Sequence, residues 1–555
     1  MSGFLEIERL SQGPWQALER GVQRLLLHMG FEDVRLVGGS GDKGADVVAN
    51  LNGQIWVIQC KHRSGNQKWG VGLLDEISNA ITSYGAHVGV LACNSGFQKD
   101  LVEMTVKREQ ELGVRLVLWD FAELVKLFRK LDDYPENRHE PRDYQSTAIE
   151  SVNNSIMAGK DRALVLMATG LGKTRVAAGV IEDWLNSHGE DSQVLLLAPS
   201  LALIPQLDAS LWPYLPKSIS THILTGSEKP TYEGGVTIAT YQSMANRASD
   251  EVGKYGLVIV DEAHHAPADS VTNLLQELNP QFILGLTATP WRGDDQSVED
   301  LFGSTVFEMG IVEGLLKGYL AEVDYDMFMD DVDWGWVQAN AGQDISVKEL
   351  NKHLFVPQRD DAIIARLRAS MSEIHNPRTL VFCGSKAHAE QFSNRLKAEN
   401  VPNYVVHSGL DRFETTRYIS EFRNGNVDTL VSVDMLNEGI DVPDVNLVAF
   451  LRVTHSRRIF VQQLGRGLRI SPGKTKVKVL DFVSDIKRIG AGASINRDAI
   501  KFAEDKANTV VVPYDPTQVI KFASQEHEAF VSHYLRDVAD LDSDEKRIRL
   551  EYPAK

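Results

Sequence analysis

The sequence predicts an α/β protein built on parallel sheets. Two observations carry this. Short apolar runs alternate with helical patterns through two long blocks, about 143–320 and about 357–486. The runs are apolar without alternation, as strands covered by helices on both faces must be. Around these blocks the chain divides into a smaller α/β unit over 1–131, a polar linker over 132–142, an Asp- and Trp-rich segment over 321–356 and a mostly helical C-terminal segment over 487–555.

The length of 555 residues fits three or four domains, at about 150 residues each. A composition of 43% hydrophobic and 24% charged residues excludes disorder for most of the chain. No apolar run approaches the ~20 residues of a membrane span, so no membrane partner is expected. The opening MSGFLEIERLSQG lacks a basic region followed by an apolar core and does not read as a secretory signal. Cys60, Cys93 and Cys383 are too few and too scattered for a disulfide framework or a zinc cluster, and a reducing, cytoplasmic setting is expected. The net charge of −18 argues against a non-specific DNA coat but leaves room for local basic surfaces.

In the first unit, Leu18, Val22, Leu25, Leu26 and Met29 mark a helix over 13–29. Strands follow over 44–50 and 54–60, then helix 71–84, strand 86–93, helix 98–112, strand 114–118 and helix 120–131. LDDYPENRHEPRD (131–143), with two prolines, reads as the linker. The next block offers strands at 162–168, 193–199, 236–240, 256–262 and 281–289. The last offers 379–384, 403–409, 428–434, 446–452 and 477–483.

Two sites stand out. MATGLGKTR (167–175) follows a strand and opens a helix. Its glycines let backbone N–H groups close on phosphates at a helix N-terminus. Lys173 reaches the β- and γ-phosphates and the Thr174 hydroxyl ligates Mg²⁺. VIVDEAHH (258–265) ends a buried strand: Asp261 holds Mg²⁺ and Glu262 polarises the attacking water. The second site is GGSGDKGADVVANLNGQIWVIQCKHRSG (38–65). Asp46 follows a Gly-rich turn, and Gln59 and Lys61, two apart on the next strand, share one face. Asp46 and a backbone carbonyl near Cys60 can bind Mg²⁺, with Lys61 orienting water and offsetting phosphate charge. Lys61, His62, Arg63, Lys68 and Trp69 read equally as phosphate contacts or as a solvated loop with one packed Trp.

From about 140 to 486 the chain resembles a superfamily 2 helicase with two RecA-like lobes, its motifs standing in family order. HEPRDYQSTAI (139–149) is similar to the adenine-reading segment, with Arg142 and Gln145 in the matching positions. Thr169, Gly170, Gly172, Lys173 and Thr174 form the helicase variant of the phosphate loop, Met167 standing where the strict pattern has its first Gly. LAPSLALIPQ (197–206) and ATYQSM (239–244) resemble first-lobe nucleic-acid contacts, and LTATPWR (286–292) the coupling motif with Thr287 and Thr289. NEGIDVPDV (437–445), with Gly439 and Asp441, and QQLGRGLR (462–469), with Gln462, Arg466 and Arg469, complete the set. The resemblance implies ATP and Mg²⁺ as cofactors, and Arg466 and Arg469 as groups that complete the γ-phosphate site. The Asp-Glu-Ala-His-His, Thr-Ala-Thr-Pro-x-Arg and Gly-Arg-Gly-Leu-Arg forms are similar to DNA translocases, including type I restriction motor subunits, and favour DNA, double-stranded or forked, over RNA.

Residues 12–130 resemble the Mrr-type restriction endonucleases of the PD-(D/E)xK fold, a likeness that extends to GAHVGVLACNSGF (85–97). That resemblance implies Gln59 as a metal ligand in place of an acid and Glu19 as the helix carboxylate. Together the likenesses imply an ATP-dependent DNA motor with a fused Mg²⁺-dependent endonuclease, acting against foreign or phage DNA. Two alternatives stay open: a repair helicase whose nuclease-like domain only binds DNA, and an ATP-gated nucleic-acid sensor. A homodimer or a defence-system partner protein is compatible with either arrangement.

Overall fold

The computed structural model describes residues 3–5 and most of 13–433, with gaps that include 38–42, 289–297, 333–338, 347–354 and 357–359. Beyond 433 it describes 445–451, 476–483, 499–501, 520–522 and 547–549. The chain forms two compact units, one of residues 1–165, 172–307 and 411–416, the other of 166–171, 308–410 and 417–555. No described helix is long and apolar enough to cross a membrane.

The N-terminal domain runs α1 (Trp15–His28), β1 (Glu32–Leu36), β2 (Val47–Leu51), β3 (Gln54–Lys61), α2 (Leu73–Tyr84), β4 (Val88–Cys93), α3 (Lys99–Leu112), β5 (Arg115–Trp119) and α4 (Phe121–Lys130). Its five strands lie in chain order, antiparallel from β1 to β3 and parallel from β3 to β5. Leu18, Val22, Leu25 and Leu26 of α1 pack with Leu124 and Phe128 of α4 on one face of this sheet. Leu74, Ile77 and Ile81 of α2 and Leu101 of α3 cover the other. Asp120 caps α4 by accepting a hydrogen bond from the Glu123 N–H at 2.9 Å.

The next lobe holds α5 (Asp143–Met157), β6 (Arg162–Met167), α6 (Lys173–His188), β7 (Gln193–Ala198), α7 (Ile204–Leu211), β8 (Thr221–Leu224), β9 (Val236–Thr240), β10 (Tyr255–Val260), α8 (Ala268–Leu278), β11 (Phe282–Thr287) and β12 (Thr305–Met309). Its sheet order is β12-β6-β11-β10-β7-β9-β8. The five expected strands are present, and β8 and β12 are additions at its two edges, with β8 too short to stand out as an apolar run.

The last lobe builds a second seven-stranded sheet. It holds β13 (Glu322–Met329), α9 (Asp360–Glu373), β14 (Thr379–Cys383), α10 (Lys386–Ala398), β15 (Asn403–His407), α11 (Arg412–Arg423), β16 (Thr429–Val433), β17 (Leu447–Leu451), β18 (Lys476–Val483) and β19 (Ile520–Phe522). Strand order is β15-β16-β14-β17-β18-β13-β19, every recorded pairing parallel. Within the Asp- and Trp-rich segment over 321–356, where the sequence reading places no strand, β13 is a sheet strand, its residues 322–329 in register with 476–483. The acids that make it look like a linker are paired across the sheet, Glu322 with Lys476 at 3.5 Å and Asp324 with Lys478 at 3.8 Å. Of the C-terminal segment over 487–555, the described parts are a helical piece at 499–501 and two strands, β19 and Arg547–Arg549.

Candidate active sites

The N-terminal site is assembled at the ends of β2 and β3. Gly44 precedes it at φ +89°, and a Cβ there would lie 2.5 Å from the Glu76 carbonyl oxygen. Glycine is thus required where the turn presses on α2. The turn delivers Asp46, which is buried and whose backbone N–H bonds the Ile58 carbonyl at 2.9 Å. Asp46 Oδ2 accepts two hydrogen bonds at 2.7 Å, from Gln59 Nε2 and from the Cys60 N–H. Lys61 Nζ lies 2.7 Å from Glu76 Oε2. Glu76 is a member of this cluster that the sequence reading missed. It stands on α2, fifteen residues beyond Lys61 (76 against 61), and no spacing rule connects them.

Ile58 and Cys60 belong to the core under α1, whereas Val57 belongs to the core under α2. Alternation along β3 then puts Gln59 and Lys61 on the α2 side. Glu19 approaches from α1, on the Cys60 side. Burial raises the Cys60 thiol well above its usual value, Asp46 and then Glu19 raise it further, and Lys61 opposes them. Asp46, Gln59 and Lys61 therefore form one group at this strand end, and Glu19 on α1 is near enough to act on the Cys60 thiol.

The donor set fits a divalent cation. Gln59 is buried, and its Oε1 has no hydrogen-bond partner. A buried amide oxygen beside a carboxylate is a hard-oxygen pair of the kind Mg²⁺ takes. Among the described residues no group of three His, Cys, Asp or Glu side chains converges on one point, so the amide is an essential part of this reading. Nearby, the Arg63 guanidinium lies 3.3 Å over the Trp69 ring, and the Trp69 backbone bonds Gly96 and Gln98 at 2.8 Å. Trp69 is half-buried against the α2-side core, while Lys68 is exposed.

In the second site Gly170 and Gly172 adopt φ +91° and +90°, and Lys173 opens α6. Lys173 Nζ lies 3.4 Å from Glu262 Oε1. A Cβ on Gly172 would sit 2.4 Å from Gln145 Nε2, so Gln145 abuts the phosphate loop. Its Oε1 accepts the Arg142 N–H at 2.9 Å, which ties both predicted adenine-side residues to the start of α5. Asp261 follows β10. Burial and the adjacent Glu262 push its carboxyl up to about 7, against the pull of Lys173. Glu262 itself takes φ +46°, a left-handed conformation that costs a non-glycine residue of order 1 kcal/mol. Buried His264 meets the Thr287 hydroxyl through Nδ1 at 2.5 Å. That bond joins the acidic strand end to the threonine of the coupling motif.

Three family models match the chain. "Restriction endonuclease", the Mrr catalytic type, matches residues 10–128, "Type III restriction enzyme, res subunit" matches 138–292, and "Helicase conserved C-terminal domain" matches 361–471. Residues 10–128 thus carry an Mrr-type restriction endonuclease domain, and residues 138–292 and 361–471 carry the two parts of a superfamily 2 helicase. It is 27% identical over 354 residues to the putative ATP-dependent helicase IRC3 of Saccharomyces cerevisiae, covering 62% of this chain and 51% of that one. It is 25% identical over 410 residues to the type I restriction enzyme EcoAI endonuclease subunit of Escherichia coli, covering 67% and 50%. The chain thus spans about half the length of these two relatives. Among solved structures, the type ISP restriction-modification enzyme LlaBIII bound to DNA gives a TM-score of 0.48 at 18% identity, covering 84% of this chain and 37% of that one.

Glu19, Asp46, Gln59 and Lys61 fall inside the endonuclease match. Arg142, Gln145, the phosphate loop, Asp261, Glu262 and Thr287 fall inside the first helicase match. Gly439, Asp441, Gln462, Arg466 and Arg469 fall within the C-terminal helicase match but outside the described residues, as Thr289 lies outside them in the first lobe.

Proposed function

We propose that this chain is an ATP-driven DNA translocase or helicase that cuts DNA with its own Mg²⁺-dependent endonuclease, directed at foreign DNA such as that of phages. The observation that carries the reading is the intact donor group in the N-terminal domain: Asp46, the unpaired buried Gln59 Oε1 and the Lys61 ammonium fixed by Glu76. A domain kept only for DNA binding has no use for a buried amide that bonds a carboxylate through its nitrogen and leaves its oxygen unpaired. The restriction setting draws on the likeness to restriction subunits and is an analogy of family, not of site chemistry.

On this reading the Gly170–Gly172 turn and the α6 N-terminus bind phosphates through backbone N–H groups. Lys173 leaves Glu262 for the γ-phosphate, which frees the Glu262 carboxylate to orient the attacking water. Thr174 and Asp261 would hold the Mg²⁺ of the nucleotide, and Arg142 and Gln145 would border the base. His264 carries the state of this site to Thr287. In the nuclease, Asp46 and Gln59 would hold a divalent cation, which supplies charge neutralisation at the scissile phosphate. Lys61 orients water and offsets phosphate charge, and Glu19 supports the site from α1. The described residues hold one such site, and a single site cuts one strand, so breaking both strands takes two chains or two encounters. That favours a homodimer or a partner protein at the moment of double-strand cutting.

Lys61→Ala tests the reading. DNA cleavage in Mg²⁺ falls by about 10²-fold or more, while DNA-stimulated ATP turnover stays within about twofold. DNA-stimulated ATP turnover and unwinding by the parent protein with no cutting of any DNA would instead support a repair helicase whose N-terminal domain only binds DNA. Stimulation of ATP turnover by RNA as strong as that by DNA would contradict the choice of substrate.

A further inference from the structure

Helix α1 has a second buried face that the nuclease site does not use. Arg20, Arg24 and His28 follow one another at four-residue spacing, so they lie on one side of the helix. All three are buried. Arg20 reaches the first helicase lobe and grips Glu228 with both terminal nitrogens, at 2.8 and 2.5 Å. Its Nε lies 3.2 Å from Asp208 Oδ2 on α7. Asp208 is fully buried and also accepts the Trp212 indole N–H at 2.8 Å. Arg24, 1% exposed, donates to the carbonyls of Ile219, Pro216 and Leu215 at 2.8, 2.9 and 3.2 Å. A small cavity of about 30 Å³ between the domains is lined by Arg20, Arg24 and Trp212 among others.

The linker is held as well. The Lys217 N–H bonds the Asp133 carbonyl at 2.7 Å, and its ammonium reaches the Leu131 carbonyl. Phe4 N–H bonds the Lys217 carbonyl at 3.1 Å, and Arg138 stacks 3.6 Å over Tyr134. The contacts thus bind the nuclease to the lobe through its first helix and through the connecting segment.

A buried, bidentate ion pair adds little net stability over apolar packing of the same volume, but it permits one geometry and penalises the rest. On one side of this lock is the helix that carries Glu19. On the other is α7, whose first turn is the end of the LAPSLALIPQ segment (197–206) that resembles a nucleic-acid contact. We propose that Arg20 and Arg24 are positioning residues that fix the endonuclease on the first motor lobe, so that ATP-driven movement of DNA presents the strand to the nuclease at a set place. The inference rests on the motor-nuclease reading and adds to it the route by which the two activities are joined.

The test uses the full chain bearing Arg20→Met/Asp208→Asn/Glu228→Gln, which removes the Arg20 half of the lock without leaving Asp208 or Glu228 as an unpaired buried charge. Breaks formed per ATP hydrolysed are measured on plasmid DNA in Mg²⁺. We expect that ratio to fall by about tenfold or more while DNA-stimulated ATP turnover stays within about twofold. An unchanged ratio, or cleavage and ATP turnover falling together, overturns the proposal, because a merely structural role moves both alike. Arg24→Met stands in if the triple variant does not fold. If the parent protein cuts no DNA, the motor-nuclease reading fails separately. The lock is then decided by amide exchange over Trp15–His28: faster exchange in the variant upholds it and equal exchange overturns it.

Discussion

Lys61 and Glu76 show what a single side chain contributes. The 2.7 Å ion pair is half-exposed, so its worth lies in where it holds the ammonium rather than in stability. Glu76→Gln is expected to slow single-turnover nicking about tenfold, near 1.4 kcal/mol of barrier, with ATP turnover unaffected. His28 makes a pH prediction. Burial, then the neighbouring Arg24, lowers its imidazole to about 3. The unfolded chain takes up a proton at about 6.5 while the folded chain does not. Its contribution is therefore complete above about 6.5 and lost as the pH falls toward about 3. At pH ~5 the loss is about 2 kcal/mol. Thermal melts at pH ~7.5 and ~5 check this: His28→Phe narrows the difference in Tm between the two by several degrees.

At the scale of elements, the turn before β2 and the face of α1 matter most. Gly44→Ala puts a methyl group on the Glu76 backbone at a positive φ. It is expected to destabilise the N-terminal domain by about 1–3 kcal/mol and to displace Asp46. Denaturation followed at the domain's tryptophans would show the first effect and a nicking assay the second. The buried strands were legible in the sequence because parallel strands covered on both faces read as continuous apolar runs. The phosphate loop and the acidic strand end were legible because their backbone chemistry dictates their residues. β13 was not, since EVDYDMFM looks polar until Lys476 and Lys478 of β18 are set beside it. Nor was the docking face of α1. Its apolar side, Leu18 to Leu26, explained the helix fully, and Arg20 and Arg24 find partners about two hundred residues away. Glu76 was hidden for the same reason: the contact is made by packing of α2 on β3, and sequence spacing carries no trace of it.

For the whole molecule, the endonuclease domain and most of the first helicase lobe fall in one compact unit, with the nuclease donors and the Lys173–Glu262 pair both inside it. On the proposed function, one polypeptide uses its own motor to drive its own nuclease. Nicking of circular DNA in Mg²⁺ and ATP by the parent protein, by Lys61→Ala, by Lys173→Ala and by an equal mixture of the two variants tests this most directly. We expect ATP-dependent nicking by the parent protein, none by either variant and none by the mixture. Full nicking by Lys173→Ala, or a mixture as active as the parent protein, would contradict it.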